Sequence, residues 1–107
     1  EKTADAIVIA DPKTQKIAEC NPAAERLTGY SKKELTKMSI QELHPRDSLK
    51  TIKETFQKMA GGEAITIKTE IMTKTKKRIP VEIIGSPIKF KGYNMMQGLF
   101  LLIKKKE

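Results

Sequence analysis

The apolar residues of this chain recur with two periods, one typical of helices and one typical of strands. Between Asp47 and Gly61 the apolar positions lie three to four residues apart and predict one amphipathic helix capped by Asp47; they are Leu49, Ile52, Phe56 and Met59. From Ile65 to Met72 apolar and polar residues alternate, which is the pattern of a strand with one buried face. The pattern therefore predicts a longer helix followed by strands.

Turn and capping residues divide the first part of the chain into short elements. Two apolar stretches, at 5–10 and 16–20, predict a hairpin because Asp11-Pro12 interrupts them. Asn21-Pro22 then predicts a helix over residues 22–28, because asparagine caps free amides and proline is tolerated at the first helical position.

Two capping boxes and two turns complete the predicted order of elements. Ser31 and Ser39 each precede a glutamate by three residues, which predicts two further one-turn helices. Polar turns at 73–77 and 91–92 separate three strands in the last part of the chain. The predicted order is two strands, four helices and three strands, and the fold class is α+β.

The strands at 6–10 and 94–104 are apolar on both faces, so both of their faces need to be covered. A single pass of short helices covers only one face of a sheet. We therefore expect the other face to meet a flanking helix or a second chain, and we expect a homodimer. The side chains predicted for this dimer face are Ile7, Ile9, Ile84, Leu99 and Leu101.

Length and composition fit one folded domain over residues 1–107. Hydrophobic residues make up 38% of the chain, which is enough for a core. A single cysteine excludes an intramolecular disulfide and a multi-cysteine metal cage, and it favours a cytoplasmic location. No apolar run approaches the roughly 20 residues that span a bilayer. Because the chain does not begin with Met, we expect it to be a fragment of a larger protein.

The net charge of +8 raises the alternative hypothesis of a module that binds nucleic acid or an anionic surface. The residues for this function would be Lys74, Lys76, Lys77, Arg78 and Lys104–Lys106. Only three of the 21 cations are arginine, the residue that reads bases and grips phosphates best. No aromatic residues are interleaved with the lysine clusters. The composition therefore disfavours nucleic acid as a partner.

The stretch NPAAERLTGYSKKEL at residues 21–35 resembles the PAS domain family. It is similar to the family signature N-x-A-x-x-x-x-G-Y-x-x-x-E-L. The segments DAIVIAD at 5–11, HPRD at 44–47, and IPVEI with SPI within 79–88 add to the resemblance. PAS domains are sensory and dimerisation modules, so the resemblance implies a module from a sensor histidine kinase or a transcription regulator, with flanking signalling domains as partners.

The resemblance also implies a five-stranded antiparallel sheet in the order 2-1-5-4-3. Short helices and one longer helix would pack on one face of this sheet, around a small cavity. The sequence departs from the family at Lys74-Thr75-Lys76, where a Lys-Asp-Gly turn is usual, and at the IKKKE end. The route by which this copy transmits a signal is therefore open.

The cofactors known in this family place demands on particular residues, and we expect none of them here. Haem needs an axial ligand, usually histidine, and residues 48–60 contain none. Covalent flavin chemistry needs a cysteine near residues 38–44, which lack one. We expect the single His44 to have a structural hydrogen bond and no metal. For Cys20, a buried inert thiol is favoured over a redox sensor.

The remaining question is whether the inward faces form a self-filled core or a cavity for a small apolar or weakly polar ligand. No nucleophile stands beside a matched base, so we expect a module without catalysis. The predicted pocket residues are Val8, Leu27, Ile40, Leu43, Ile52, Phe56, Ile67, Thr69, Ile83, Met96 and Phe100.

Overall fold

A computed structural model describes residues 5–103 of the chain. The strands are β1 (Ala6–Ala10), β2 (Ile17–Cys20), β3 (Ile65–Met72), β4 (Arg78–Phe90) and β5 (Tyr93–Leu102). The α-helices are α1 (Pro22–Thr28), α2 (Lys32–Leu35) and α3 (Leu49–Ala60), and 3-10 turns form at Ile40–Leu43 and Arg46–Ser48.

The five strands form one sheet in the order β2-β1-β5-β4-β3, with every neighbouring pair antiparallel. This confirms the predicted α+β class and strand order. The core lies between one face of the sheet and the helices, and its fully buried side chains include Leu35, Ile71 and Val81. The two strands with apolar side chains on both faces, β1 and β5, lie side by side within the sheet.

Asn21 connects the start of α1 to β1. Its side-chain oxygen accepts hydrogen bonds from the backbone N–H groups of Ala24 and Ile7, each at 3.0 Å. Its side-chain amide donates to the carbonyl of Asp5 at 2.7 Å. The predicted cap of α1 is thus confirmed, and the same residue fixes the helix against the sheet.

The predicted cap of α3 is wrong. Ser48 precedes the helix and makes no capping hydrogen bond with its side chain. Asp47 instead lies in a 3-10 turn and accepts two hydrogen bonds of 3.0 Å from Arg78 of β4. Charge-assisted hydrogen bonds from one arginine nitrogen to both carboxylate oxygens compete with a local cap, and the sequence around Asp47 does not reveal that partner.

The turn between β3 and β4 contains a left-handed residue although it has no glycine. Lys76 adopts a left-handed backbone with φ of 71°. The Thr73 N–H donates to the Lys77 carbonyl at 2.9 Å, and the Thr73 hydroxyl accepts from the Lys77 N–H at 3.1 Å. These hydrogen bonds hold a lysine in a conformation that normally favours glycine.

The hairpin of β4 and β5 extends beyond its neighbours. β3 pairs with β4 only as far as Gly85, and β1 pairs with β5 only as far as Met96. Lys91 and Gly92 form the two-residue turn, with φ of 51° and 84°. Tyr93 lies at the exposed tip of this hairpin. β5 begins at Tyr93, one residue earlier than the predicted Asn94.

Candidate functional site: an apolar cavity and an outer sheet face

An apolar cavity of about 40 Å³ lies between α3 and the inner face of the sheet. One water needs about 10–15 Å³ on this measure, so the cavity has room for a molecule of a few heavy atoms. Haem or flavin would need far more space. The cavity is lined by Val8, Ala10, Ile40, His44, Ile52, Thr55, Phe56, Met59, Ile67, Ile83, Gly85, Met96, Gln97, Gly98 and Phe100.

The structure brings most of the predicted pocket residues together around this cavity. Those that line it are Val8, Ile40, Ile52, Phe56, Ile67, Ile83, Met96 and Phe100. They come from β1, β3, β4, β5, α3 and the first 3-10 turn, which surround the cavity from both layers of the fold.

Three of the predicted pocket residues lie elsewhere. Leu43 is fully buried within the core and does not line the cavity. Leu27 lines a separate surface hollow beside Ala6 and Ile79. Thr69 donates a hydrogen bond from its hydroxyl to the Ser48 hydroxyl at 3.3 Å. Periodicity predicts the inward face of an element, but it cannot show which inward residues reach one void.

Several cavity residues were not predicted, and Gly85 is the most informative. A Cβ atom at this position would lie 2.7 Å from the sulfur of Met59, closer than van der Waals contact allows. Gly85 therefore lets α3 approach β4, and Met59 fills the space beside it. Helical spacing indicates the inward position of Met59, and strand alternation places Gly85 on the same face as Ile83. Neither pattern shows that the two residues meet.

His44 is the most polar buried group at the cavity, with only 6% of its surface exposed. Its Nδ1 lies 2.9 Å from the backbone carbonyl oxygen of Glu70, and its buried Nε2 has no hydrogen-bond partner among residues 5–103. Burial lowers the pKa of His44, and the hydrogen bond to Glu70 opposes this lowering only in part. The ring is therefore neutral at pH 7.

The outer face of the sheet carries a row of apolar side chains across three strands. Ile7 of β1 lies opposite Leu99 of β5, which in turn lies opposite Ile84 of β4. Ile84 is 38% exposed, and Ile7 and Leu99 are half-buried. Leu101 is also half-buried, in the next row.

The prediction that Ile9 contributes to an exposed outer face is wrong. Ile9 is only 8% exposed, although it does not belong to the core cluster between sheet and helices. It lies between Glu19 of β2 and Gln97 of β5, its cross-strand partners. Long polar side chains on neighbouring strands can cover an apolar residue in this way, and alternation alone does not predict it.

Cys20 is buried, with 7% of its surface exposed. Burial raises the pKa of the Cys20 thiol, and the nearby carboxylates of Glu25 and Glu19 raise it further. The thiolate is the reactive form of cysteine, so this environment disfavours redox chemistry.

Two residues of the predicted basic cluster are engaged in ion pairs. Lys74 lies 2.7 Å from Glu34, and Arg78 pairs with both Asp47 and Glu70. Lys104–Lys106, the other part of that cluster, lies outside the described residues. The ion pairs reduce the charge available to an anionic partner.

Residues 5–103 contain neither a metal-ligand cluster nor a membrane-spanning helix. This part of the chain contains no group of three histidine, cysteine, aspartate or glutamate residues placed to hold a metal. None of its helices has the length and apolar character to cross a bilayer.

Comparison with known proteins agrees with the fold and its sheet order. The sequence model of the PAS domain family matches residues 4–103. The chain belongs to the PAS domain family. This PAS domain is 29% identical over 76 residues to the sensor histidine kinase TmoS of Ectopseudomonas mendocina. The match covers 69% of this chain and only 8% of that kinase.

Solved PAS domains share the fold at lower identity. One from Colwellia psychrerythraea has a TM-score of 0.83 at 24% identity, over 95% of this chain and 88% of that one. The PAS domain of nitrogen regulation protein NR(II) from Vibrio parahaemolyticus has a TM-score of 0.75 at 23% identity, over 92% and 89% of the two chains. Both structures show that the chain has the PAS fold.

Proposed function

We propose that this PAS domain is a non-catalytic sensory and dimerisation module of a larger signalling protein. A sensor histidine kinase or a transcription regulator is the class of parent protein, and its flanking signalling domains are the partners. The relationship to a sensor histidine kinase supports this class. The single observation that carries the dimerisation proposal is the outer row of Ile7, Leu99 and Ile84.

A second copy of this chain is the partner proposed for the outer row. The three side chains are in register and lie across β1, β5 and β4, so they form a continuous strip. In a two-fold contact the strip of one copy packs against the same strip of the other copy. Both strips are then buried, so the buried apolar area is twice that of one strip. Each square ångström of apolar surface removed from water contributes about 25 cal/mol.

The dimerisation proposal is tested by placing charge in the strip. We expect the double substitution Ile84→Glu and Leu99→Glu to weaken self-association at least about tenfold, because the buried carboxylates lose water without gaining partners. Sedimentation velocity over a range of concentrations measures this. Tyr93→Glu is the control, since Tyr93 is 72% exposed at the hairpin tip. An unchanged sedimentation profile in the double variant would remove this face as the interface.

The cavity supports the sensory part of the proposal. Its lining is mostly apolar and its volume of about 40 Å³ suits a small, uncharged molecule. A ligand there would contact α3 and the inner side chains of the strands whose outer side chains form the proposed interface. In this proposal, binding at the inner face of β1, β4 and β5 alters packing at their outer face.

A cytoplasmic location is part of the proposal, because a single thiol suits a reducing compartment. We do not propose nucleic-acid binding. Two of the cations that it would need, Lys74 and Arg78, already pair with carboxylates.

A further inference from the structure

His44, Thr55 and Gln97 are the polar side chains in the cavity lining, and the surroundings of His44 fix the chemical role of its Nε2. The histidine side chain is more than nine-tenths buried and lines the cavity. Its Nδ1 is hydrogen-bonded to the Glu70 carbonyl at 2.9 Å, and no atom in the described part of the chain bonds Nε2. A buried polar atom without a partner carries a free-energy cost that a suitable ligand removes.

The hydrogen bond to Glu70 determines which nitrogen carries the proton. A carbonyl oxygen only accepts, so Nδ1 of His44 must donate its N–H to it. In the neutral ring, one nitrogen is protonated and the other is an acceptor. Nε2 of the neutral His44 is therefore a hydrogen-bond acceptor at a mostly apolar cavity.

We infer that the cavity recognises a small uncharged molecule with one hydroxyl or N–H group, which donates a hydrogen bond to Nε2 of His44. The apolar body of this molecule would contact side chains such as Ile52, Phe56 and Met96. A hydrocarbon would leave Nε2 without a partner, and a ketone or ester would turn a second acceptor towards it. The inference rests on the proposed sensory function of the cavity and adds the chemical class of its ligand.

The discriminating experiment compares 2-butanol with 2-butanone, two probes of equal heavy-atom count that differ in one donor. Titration of the isotope-labelled chain with each probe, followed by NMR, gives the two dissociation constants. We expect 2-butanol to bind at least about tenfold more tightly, because a site built around a hydrogen bond rejects the analogue that cannot make it. We also expect the ¹⁵N signal of His44 Nε2 to be that of an unprotonated nitrogen and to move with 2-butanol alone.

His44→Asn provides the matched variant. The asparagine amide can still donate to the Glu70 carbonyl, but the acceptor at the position of Nε2 is lost. In this variant 2-butanol is expected to bind no more tightly than 2-butanone. If the variant does not fold, the ring ¹⁵N signals of the unsubstituted chain decide the question alone.

The possible failures are distinguishable. Equal binding of the two probes, or a protonated Nε2, would overturn the donor preference and leave the cavity as a ligand site. Binding of neither probe would overturn this inference and the ligand part of the proposed function together. Sedimentation of the double variant at Ile84 and Leu99 tests dimerisation independently of both results.

Discussion

At the residue scale, His44 makes the stability of the domain depend on pH. Its pKa in the folded chain is lowered from the ordinary 6.5, chiefly by burial. The unfolded chain therefore binds protons more readily, and the stabilisation by neutral His44 is fully present only above the unfolded pKa. It is lost as the pH falls from about 6.5 through the lower pKa of the folded state.

We expect the free energy of unfolding to fall by up to about 1.4 kcal/mol per pH unit within this range. Urea unfolding between pH 7 and pH 5 measures the slope. His44→Asn removes the titrating ring, so its slope should be smaller over the same range. Equal slopes in the two proteins would show that another group controls the acid sensitivity.

Lys76 gives a second prediction at this scale. Its φ of 71° lies in the left-handed region, which costs a side-chain-bearing residue about 1–2 kcal/mol. Glycine avoids this cost but loses more backbone entropy on folding, about 0.5–1 kcal/mol. Lys76→Gly is therefore expected to raise the free energy of unfolding by about 0.5–1 kcal/mol, measured by denaturant titration.

Lys77→Gly is the control for this turn. Lys77 is exposed like Lys76 but does not have a positive φ. Glycine there brings only the entropic cost, so we expect a loss of up to about 1 kcal/mol. If both substitutions destabilise equally, the left-handed strain at Lys76 is absent.

At the element scale, α3 lines the cavity and packs into the core. Ile52, Phe56 and Met59 lie on its buried face, as the helical spacing predicted. Ile52 is 3% exposed, and Ile52→Ala is expected to lower the free energy of unfolding by about 2–5 kcal/mol. Lys53→Ala, on the exposed face, should change it by less than about 0.5 kcal/mol. Denaturant titration measures both variants. Similar losses in the free energy of unfolding for Ile52→Ala and Lys53→Ala would contradict this packing.

The elements differ in how well the sequence predicted them. The cap of α1 and the capping box of α2 depend on residues within a few positions of each helix start, so local patterns were sufficient. The cap of α3 was mispredicted because Asp47 binds Arg78, 31 positions away in the chain. Contacts at such separation leave no trace in periodicity.

The features of the cavity also divide into those that local patterns predicted and those that depend on distant contacts. Alternation and helical spacing placed residues such as Val8, Phe56 and Ile83 on inward faces, and they do line the cavity. The acceptor role of His44 depends on its bond to Glu70, which requires the folded chain. The cross-strand partners of the buried Ile9, Glu19 and Gln97, are set by the strand register, which a single strand's pattern does not contain.

At the scale of the whole molecule, the sheet separates two surfaces with different proposed roles. The inner face and the helices enclose the cavity, and the outer face carries the row from Ile7 through Leu99 to Ile84. β1, β4 and β5 contribute to both surfaces. A ligand shifts association only if it binds the monomer and the dimer with different affinities. Strands that contribute to both surfaces allow a ligand in the cavity to have such different affinities.

Native mass spectrometry of the purified chain, beside its denatured mass of 12.1 kDa, tests the central claim most directly. We predict a dimer at micromolar concentration. Any mass surplus that disappears on denaturation would identify a copurified molecule, which should contain a hydroxyl or N–H group. A spectrum of monomers alone at that concentration would contradict the proposal that the outer sheet face is a dimer interface.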